Sequence, residues 1–149
     1  MIELKNISYS YSANSSEDAV ALENVSLKIN KGEFIGIAGH TGSGKTTLAQ
    51  ILAGLVCPTE GSINVQGEEF TEYKAAARAL RACVGIVFQY PEHQLFEETV
   101  YRDIAFGPKN KGLSEEEIDQ CVRKSAALVH LKEELFEKSP FELSGGQKR

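Results

Sequence analysis

Long apolar runs are what this sequence most plainly lacks. The longest, Ile51 to Cys57, reaches seven residues only if Gly54 is counted, against the roughly 20 that a membrane-spanning helix needs. Any membrane role must therefore come through a partner. The opening residues, MIELKNISYSYS, show no basic start leading into an apolar stretch, so no signal peptide is expected. Cysteine is also scarce. Cys57, Cys83 and Cys121 are odd in number and widely spaced, which excludes a disulfide framework or a metal cluster and fits a reducing cytosol. Buried structural thiols are the expectation for all three. Basic charge is in short supply too, with 16 Lys and Arg against 21 Asp and Glu, a net charge of −5. Such a surface does not attract a nucleic-acid backbone by bulk charge, and no nucleic-acid partner is expected.

What is present is the ordinary balance of a globular chain. The 149 residues are 42% hydrophobic and 25% charged, enough for one domain and too few for two of usual size. No internal repeat or low-complexity tract appears. Ile7, Tyr9 and Tyr11 alternate with serines, and Val25, Leu27 and Ile29 alternate with Ser26 and Lys28, so both segments predict strands with one wet face. Ser12 to Ala19 reads as an exposed loop and Asn30 to Glu33 as a turn. Phe34 to Ala38 (FIGIA) and Val84 to Phe88 (VGIVF) predict strands buried on both faces. Leu48, Ile51, Leu52 and Leu55 form one face of a helix that Pro58 must end. Ile63 and Val65 predict another strand, and Glu72 to Ala82 a helix. Pro91 to Gly112 reads as irregular. Ser114 and Glu117 form a capping box ahead of a helical stripe through Ile118, Cys121, Val122, Ser125, Ala126 and Val129. The expected division is a mixed sheet-and-helix part over 1–89 and a mostly helical part over 90–149.

The strongest local signal is Gly39-His40-Thr41-Gly42-Ser43-Gly44-Lys45-Thr46, which matches GxxxxGK[ST] between an apolar segment and an amphipathic helix. Gly42 and Gly44 let the backbone curl so that its amides face phosphate oxygens. The following helix adds unpaired N–H groups and the positive end of its dipole. Lys45 is then placed for the β- and γ-phosphates and the Thr46 hydroxyl for Mg²⁺. The alternative is a glycine-rich turn that happens to carry a lysine, and the flanking strand and helix weigh against it. A second feature, Leu143-Ser144-Gly145-Gly146-Gln147, can present a hydroxyl and free amides at a helix start. Taken alone it is equally well an ordinary turn.

Together these motifs resemble the ATP-binding-cassette ATPases. GHTGSGKTT, including Thr47, looks like the family's Walker A loop, Gln89 in VGIVFQ like its Q-loop glutamine, and LSGGQ like its signature. The resemblance runs from ALENVSLKINKGEF to the last residue. VFQYPEHQLFEETVYRDIAFGPKN followed by SPFELSGGQ is more similar still to the ATP-binding subunits of energy-coupling factor transporters, in the form of the second of two ATPase paralogues. The fold this implies is α/β, a P-loop NTPase with an N-terminal antiparallel β subdomain, an incomplete RecA-like core and a helical subdomain.

The resemblance also implies roles. Two cassettes pair head to tail, so Ser144, Gly145, Gly146 and Gln147 would meet an ATP held by a paralogous ATPase subunit. Lys45 and Gln89 would serve hydrolysis, Thr46 and Gln89 the Mg²⁺ ion. Tyr11 aligns with the adenine-stacking aromatic, although it is also an ordinary strand tyrosine with Tyr9 two positions away. His40 and His93 receive no chemistry. The implied partners are a transmembrane coupling subunit and a substrate-binding membrane subunit. The implied place is the cytoplasmic face of a prokaryotic membrane, and the implied cargo vitamins or transition-metal ions. A soluble cassette acting on DNA or ribosomes fits neither the length nor the acidic charge. No LLILDEP-like run, which in the family supplies an Asp and a catalytic Glu, occurs in the sequence. The chain is therefore expected to be a fragment of a longer ATPase, the alternative being a non-catalytic nucleotide-binding module unable to hydrolyse ATP alone.

Overall fold

A computed structural model describes residues 1–11, 19–70 and 72–148. The chain divides into two compact units, Met1–Ile86 and Val87–Arg149. The loop expected at Ser12 to Ala19 lies outside the described residues, except that Ala19 opens a strand.

The first unit is built on a four-stranded antiparallel sheet in the order β2-β1-β3-β4. Its strands are β1 (Ile2–Tyr11), β2 (Ala19–Ile29), β3 (Glu60–Val65) and β4 (Glu68–Phe70). The alternation read from Ile7 onward does not extend back to Leu4, yet both Leu4 and Ile7 are buried. The first of three register shifts between β1 and β2 explains this. Leu4 pairs with Leu27 and Ile7 with Val25, which places one extra residue in β1; Tyr9 then pairs with Leu22, which places one extra in β2. Each extra residue shifts the side-chain parity by one. Asn6 and Asn24 sit at these points with φ of 52° and 51°, a conformation asparagine tolerates better than most residues. Their amides, displaced from the ladder, donate to the hydroxyls of Ser26 and Ser8 at 2.9 and 3.1 Å.

Two helices cover the sheet. The helix α1 (Lys45–Leu52) buries Thr47, Leu48 and Ile51, and α2 (Tyr73–Cys83) buries Ala76, Ala77 and Leu80. With Leu4, Ile7, Leu22, Ile63 and Val65 they close one core. Side chains as large as Ile51 and Leu80, both at 0% exposure, contribute about 1.5–3 kcal/mol each. The stripe that suggested helix as far as Leu55 overran. Gly54 adopts φ 68°, its N–H donates to Ile51 O and the N–H of Leu55 to Gln50 O, at 3.0 and 2.9 Å. These are the paired bonds of a Schellman stop. Gly54 is also required sterically, since a Cβ there would lie 2.8 Å from Ala77 O on α2.

Neither buried-strand expectation holds. Phe34 to Ala38 and Val84 to Phe88 pair with no strand among the described residues, and Phe34 and Val87 are exposed. Apolar composition marks a segment suited to a sheet interior, but a strand exists only where a neighbour supplies the ladder. Cys57 and Cys83 are likewise exposed and Cys121 half-buried. Cys57 follows the helix stop, and Cys83 is the last residue of α2, beyond its final buried position at Leu80.

The second unit is helical. The helix α3 (Val100–Asn110) lies inside the stretch expected to be irregular. Gly107 and Pro108 suggested a break, yet the helix runs through both and ends two residues later, at the cost of the one bond a residue 108 N–H would donate to Ile104 O. Thr99 starts it by accepting from Arg102 N at 3.2 Å. The helix α4 (Glu115–Leu128) has the expected capping box, with Ser114 N donating to Glu117 Oε2 at 2.8 Å and Glu117 N to Ser114 Oγ at 3.4 Å. Ala105, Ile118, Val122, Ala126 and Phe136 form the core between α3, α4 and the following turn. Arg123 ties α4 to that turn by donating to Asp119 and Glu133 at 2.8 and 2.6 Å. Part of this network is exposed, so it adds little to stability. A last short helix, α5, spans Gly145–Lys148. No helix among the described residues is long and apolar enough to cross a membrane.

Candidate functional site

The site is assembled at the start of α1, where the loop 39–46 turns into the helix. Gly44 stands immediately before α1 with φ 82°, and Gly42 precedes it with φ 85°. Only glycine takes this left-handed conformation without a steric cost. At Gly44 the neighbourhood adds a second requirement, because a Cβ would meet Ala21 O at 2.4 Å and Leu22 Cδ2 at 2.7 Å. The loop is thereby pressed against β2. Within it, Ser43 N donates to His40 O at 3.2 Å and Leu48 N to Gly44 O at 2.8 Å.

Lys45 folds over this loop. Its Nζ donates to the carbonyls of Gly39 and His40 at 2.8 and 2.7 Å and to Ser43 Oγ at 3.3 Å. His40 turns aside, with Nδ1 2.8 Å from Thr41 O. A hollow of about 280 Å³ opens beside the loop, lined by Tyr11, Ala19, Val20, Ala21, Gly42, Gly44, Lys45, Thr46 and Thr47. Its floor is the first turn of a helix, where amide donors have no intrahelical partner. One wall is aromatic, since the half-exposed Tyr11 ring stands edge-on to Tyr9 at 4.8 Å. The Thr46 hydroxyl has no hydrogen-bond partner among the described residues and is exposed. The Thr47 hydroxyl is instead buried and lies 3.0 Å from Tyr11 OH. Amide donors, one ammonium, one free hydroxyl and a ring are the parts needed to hold a polyphosphate that carries a base.

The structure thus brings Tyr11, Gly42, Gly44, Lys45, Thr46 and Thr47 to one hollow, with Gly39, His40, Thr41 and Ser43 completing the loop. Gln89 and residues 144–147 belong to the second unit. Gln89 is exposed in an unpaired stretch. Ser144 and Gln147 form a second capping box. Ser144 N and Oγ both donate to Gln147 Oε1, at 2.9 and 3.0 Å, and Gln147 N donates to Ser144 Oγ at 3.4 Å. The Ser-x-x-Gln spacing carries a capping-box signal that the reading of 143–147 as a helix start or an ordinary turn did not use. The wall contributed by Ala19, Val20 and Ala21 was not, since small residues at a strand start carry no chemical signal. A roomier hollow of about 500 Å³ in the second unit, lined by Tyr101, Arg102, Phe106 and Lys109 among others, contains none of the expected site residues. Burial and the neighbouring Asp119 carboxylate raise the Tyr101 hydroxyl above its usual range.

The family profile described as ABC transporter matches residues 22–149, most of the chain. The chain belongs to the ABC transporter family. It is 51% identical over 148 residues to the energy-coupling factor transporter ATP-binding protein EcfA2 of Caldanaerobacter subterraneus subsp. tengcongensis, covering 99% of this chain and 52% of that protein. It is 54% identical to EcfA2 of Acetivibrio thermocellus over 148 residues, again 99% of this chain and 52% of the other. The chain therefore spans about half the length of the curated relatives it matches. Among solved structures, a dimeric bacterial ABC transporter cassette superposes with a TM-score of 0.83 at 31% identity, over 99% of this chain and 65% of the other. CbiO1 from Clostridium perfringens, part of the ABC transporter complex CbiONQ, does so with a TM-score of 0.78 at 34% identity, over 99% and 57%. The fold is accordingly α/β, part of an ABC ATPase cassette.

Proposed function

We propose that this ABC transporter chain is the nucleotide-binding part of an energy-coupling factor transporter ATPase, which couples ATP binding and hydrolysis to uptake of a vitamin or transition-metal ion through membrane partners. The observation that carries this reading is the loop geometry. Gly42 and Gly44 hold left-handed turns, Lys45 spans the loop, and the amides at the start of α1 open into the hollow beside Tyr11. A triphosphate fits this arrangement because the hollow offers it the Lys45 ammonium, the Thr46 hydroxyl and the backbone amides at the start of α1.

In this reading Lys45 exchanges its carbonyl partners for phosphate oxygens, and the loop amides hold the remainder of the chain of phosphates. Tyr11 offers its ring to the base. The unpartnered Thr46 hydroxyl suits a hard cation that takes oxygen ligands, so Thr46 would hold Mg²⁺. Bound Mg²⁺ would offset charge on the phosphate oxygens. Ser144, Gly145 and Gly146 serve the nucleotide of a paralogous ATPase subunit paired head to tail, and the protein lies peripherally on the membrane with a transmembrane coupling subunit and a substrate-binding subunit. EcfA2 identity near one half over nearly the whole chain supports this choice of branch.

The test is made on the complete protein co-expressed with candidate membrane subunits. ATP-dependent phosphate release that depends on Lys45 is the expected result. Release unaffected by Lys45→Ala would count against the reading.

A further inference from the structure

Helix α2 carries positive charge where the helix itself gains nothing from it. Lys74, Arg78 and Arg81 follow one another at spacings that place them on one flank, and all three are exposed. Lys74 stands in the first turn, where no acidic residue occurs and where the helix dipole disfavours a cation. Like charges at these spacings also repel one another. The ion pairs formed among the described residues take their cations from Lys5, Arg102, Arg123 and Lys132. On a chain of net charge −5, the three cations of α2 therefore have no carboxylate partner among the described residues. Arg81 has a structural part, since its guanidinium donates to Gly54 O at 3.0 Å. That bond holds it beside the turn after α1, where Leu55 is 49% exposed. Next to the cations around the helix stand Ala75 and Ala82, exposed and too short to screen them.

We infer that Lys74, Arg78 and Arg81, with Leu55 beside them, form a contact surface for anionic phospholipid headgroups. This rests on the peripheral membrane placement proposed above and gives that placement a chemical contact. Headgroups suit the stripe because they are mobile and gather around point charges on a smooth helix flank. An acidic protein segment would instead need carboxylates fixed at the same spacing. Each Lys or Arg close to such a surface adds a modest attraction that falls off within a Debye length, and Leu55 adds apolar contact at the headgroup boundary. Three cations do not anchor a protein alone. Tethered by membrane subunits, the stripe stays close to the bilayer, so the contact becomes effectively intramolecular and orients the subunit against it.

The experiment is cosedimentation of the complete protein, at low ionic strength, with vesicles of phosphatidylcholine alone and of an equimolar mixture with phosphatidylglycerol. The variant joins Lys74→Gln to Arg78→Gln and leaves Arg81 with its structural bond. Binding to the mixed vesicles is expected to exceed binding to the neutral ones and to weaken as salt is added. The double variant should bind the mixed vesicles about thirtyfold more weakly. Its thermal unfolding should match the unsubstituted protein, since both side chains are exposed and unpaired, and the charge-preserving pair Lys74→Arg with Arg78→Lys should bind normally. Equal sedimentation with both vesicles, or undiminished binding by the double variant, would overturn the inference. So would a double variant that binds vesicles normally but no longer associates with solubilised membrane subunits, an outcome that makes an acidic protein face the occupant. Absence of phosphate release from ATP by the unsubstituted protein would instead count against the transporter reading, which vesicle binding does not address.

Discussion

Lys45 Nζ donates to the carbonyl oxygen of Gly39 at 2.8 Å, six residues back along the chain. The ammonium therefore spans the whole loop, and with His40 O at 2.7 Å and Ser43 Oγ at 3.3 Å all three of its protons have acceptors. In the nucleotide-binding reading proposed above, a cation held there is already where a phosphate would arrive. Lys45→Ala removes a charge-assisted contact of about 1.5–3 kcal/mol. ATP affinity of the complete protein, read by calorimetry, is expected to fall by about tenfold to a hundredfold.

Gly44 and Gly42 share a left-handed backbone but differ in surroundings, and substitutions should separate the two effects. Nothing lies within 4 Å of a Cβ at Gly42, whereas at Gly44 the carbonyl of Ala21 would be 2.4 Å away. Gly42→Ala is expected to cost only the conformational penalty, about 1–2 kcal/mol. Gly44→Ala must also push the loop off β2 and cost clearly more. Urea unfolding of both variants checks the order, and equal losses would contradict the packing described at Gly44.

The Ser144–Gln147 box is a local device with a local readout. Gln147→Ala removes the acceptor of the Ser144 amide and is expected to destabilise the start of α5 by about 0.5–1 kcal/mol. Amide hydrogen exchange over residues 144–148 should speed up severalfold. Gln147→Glu keeps the acceptor and should preserve the protection.

Glu117 carries a pH dependence of known sign. Hydrogen bonds from the backbone and then the side chain of Ser114 hold its carboxyl below the usual carboxylate range. A lowered folded-state value means the stabilisation is complete above the unfolded value of about 4.3 and is lost as pH falls through the folded one. Glu117→Gln keeps the box without the titration. Its unfolding free energy should therefore decline less than that of the unsubstituted protein as pH falls below about 4.3.

Much of this molecule was readable from short windows of sequence. The strand alternation at Ile7 to Tyr11 and Val25 to Ile29, the turn at Asn30 to Glu33 and the Ser114 box all depend on residues within a few positions of each other. So does the loop 39–46, where Gly42 and Gly44 take left-handed turns. The α3 helix was hidden because Gly107 and Pro108 look like breakers, although both fall in its last four residues. The overrun at Leu55 had a visible correction in Gly54, outweighed by an apolar stripe that continued past it.

What the sequence determined by itself, then, was local: where the backbone must turn left-handed, which helices start with a cap, and which loop curls into the start of α1. Tertiary structure alone decided the bulge parity that buries both Leu4 and Ile7, the exposure of Phe34 and Val87, and the meeting of Tyr11 with Thr47. The physical reason is separation along the chain. A cap or turn is closed by neighbours a few bonds away, whereas a ladder or a packed hydroxyl needs a partner that only the folding of dozens of intervening residues brings within reach.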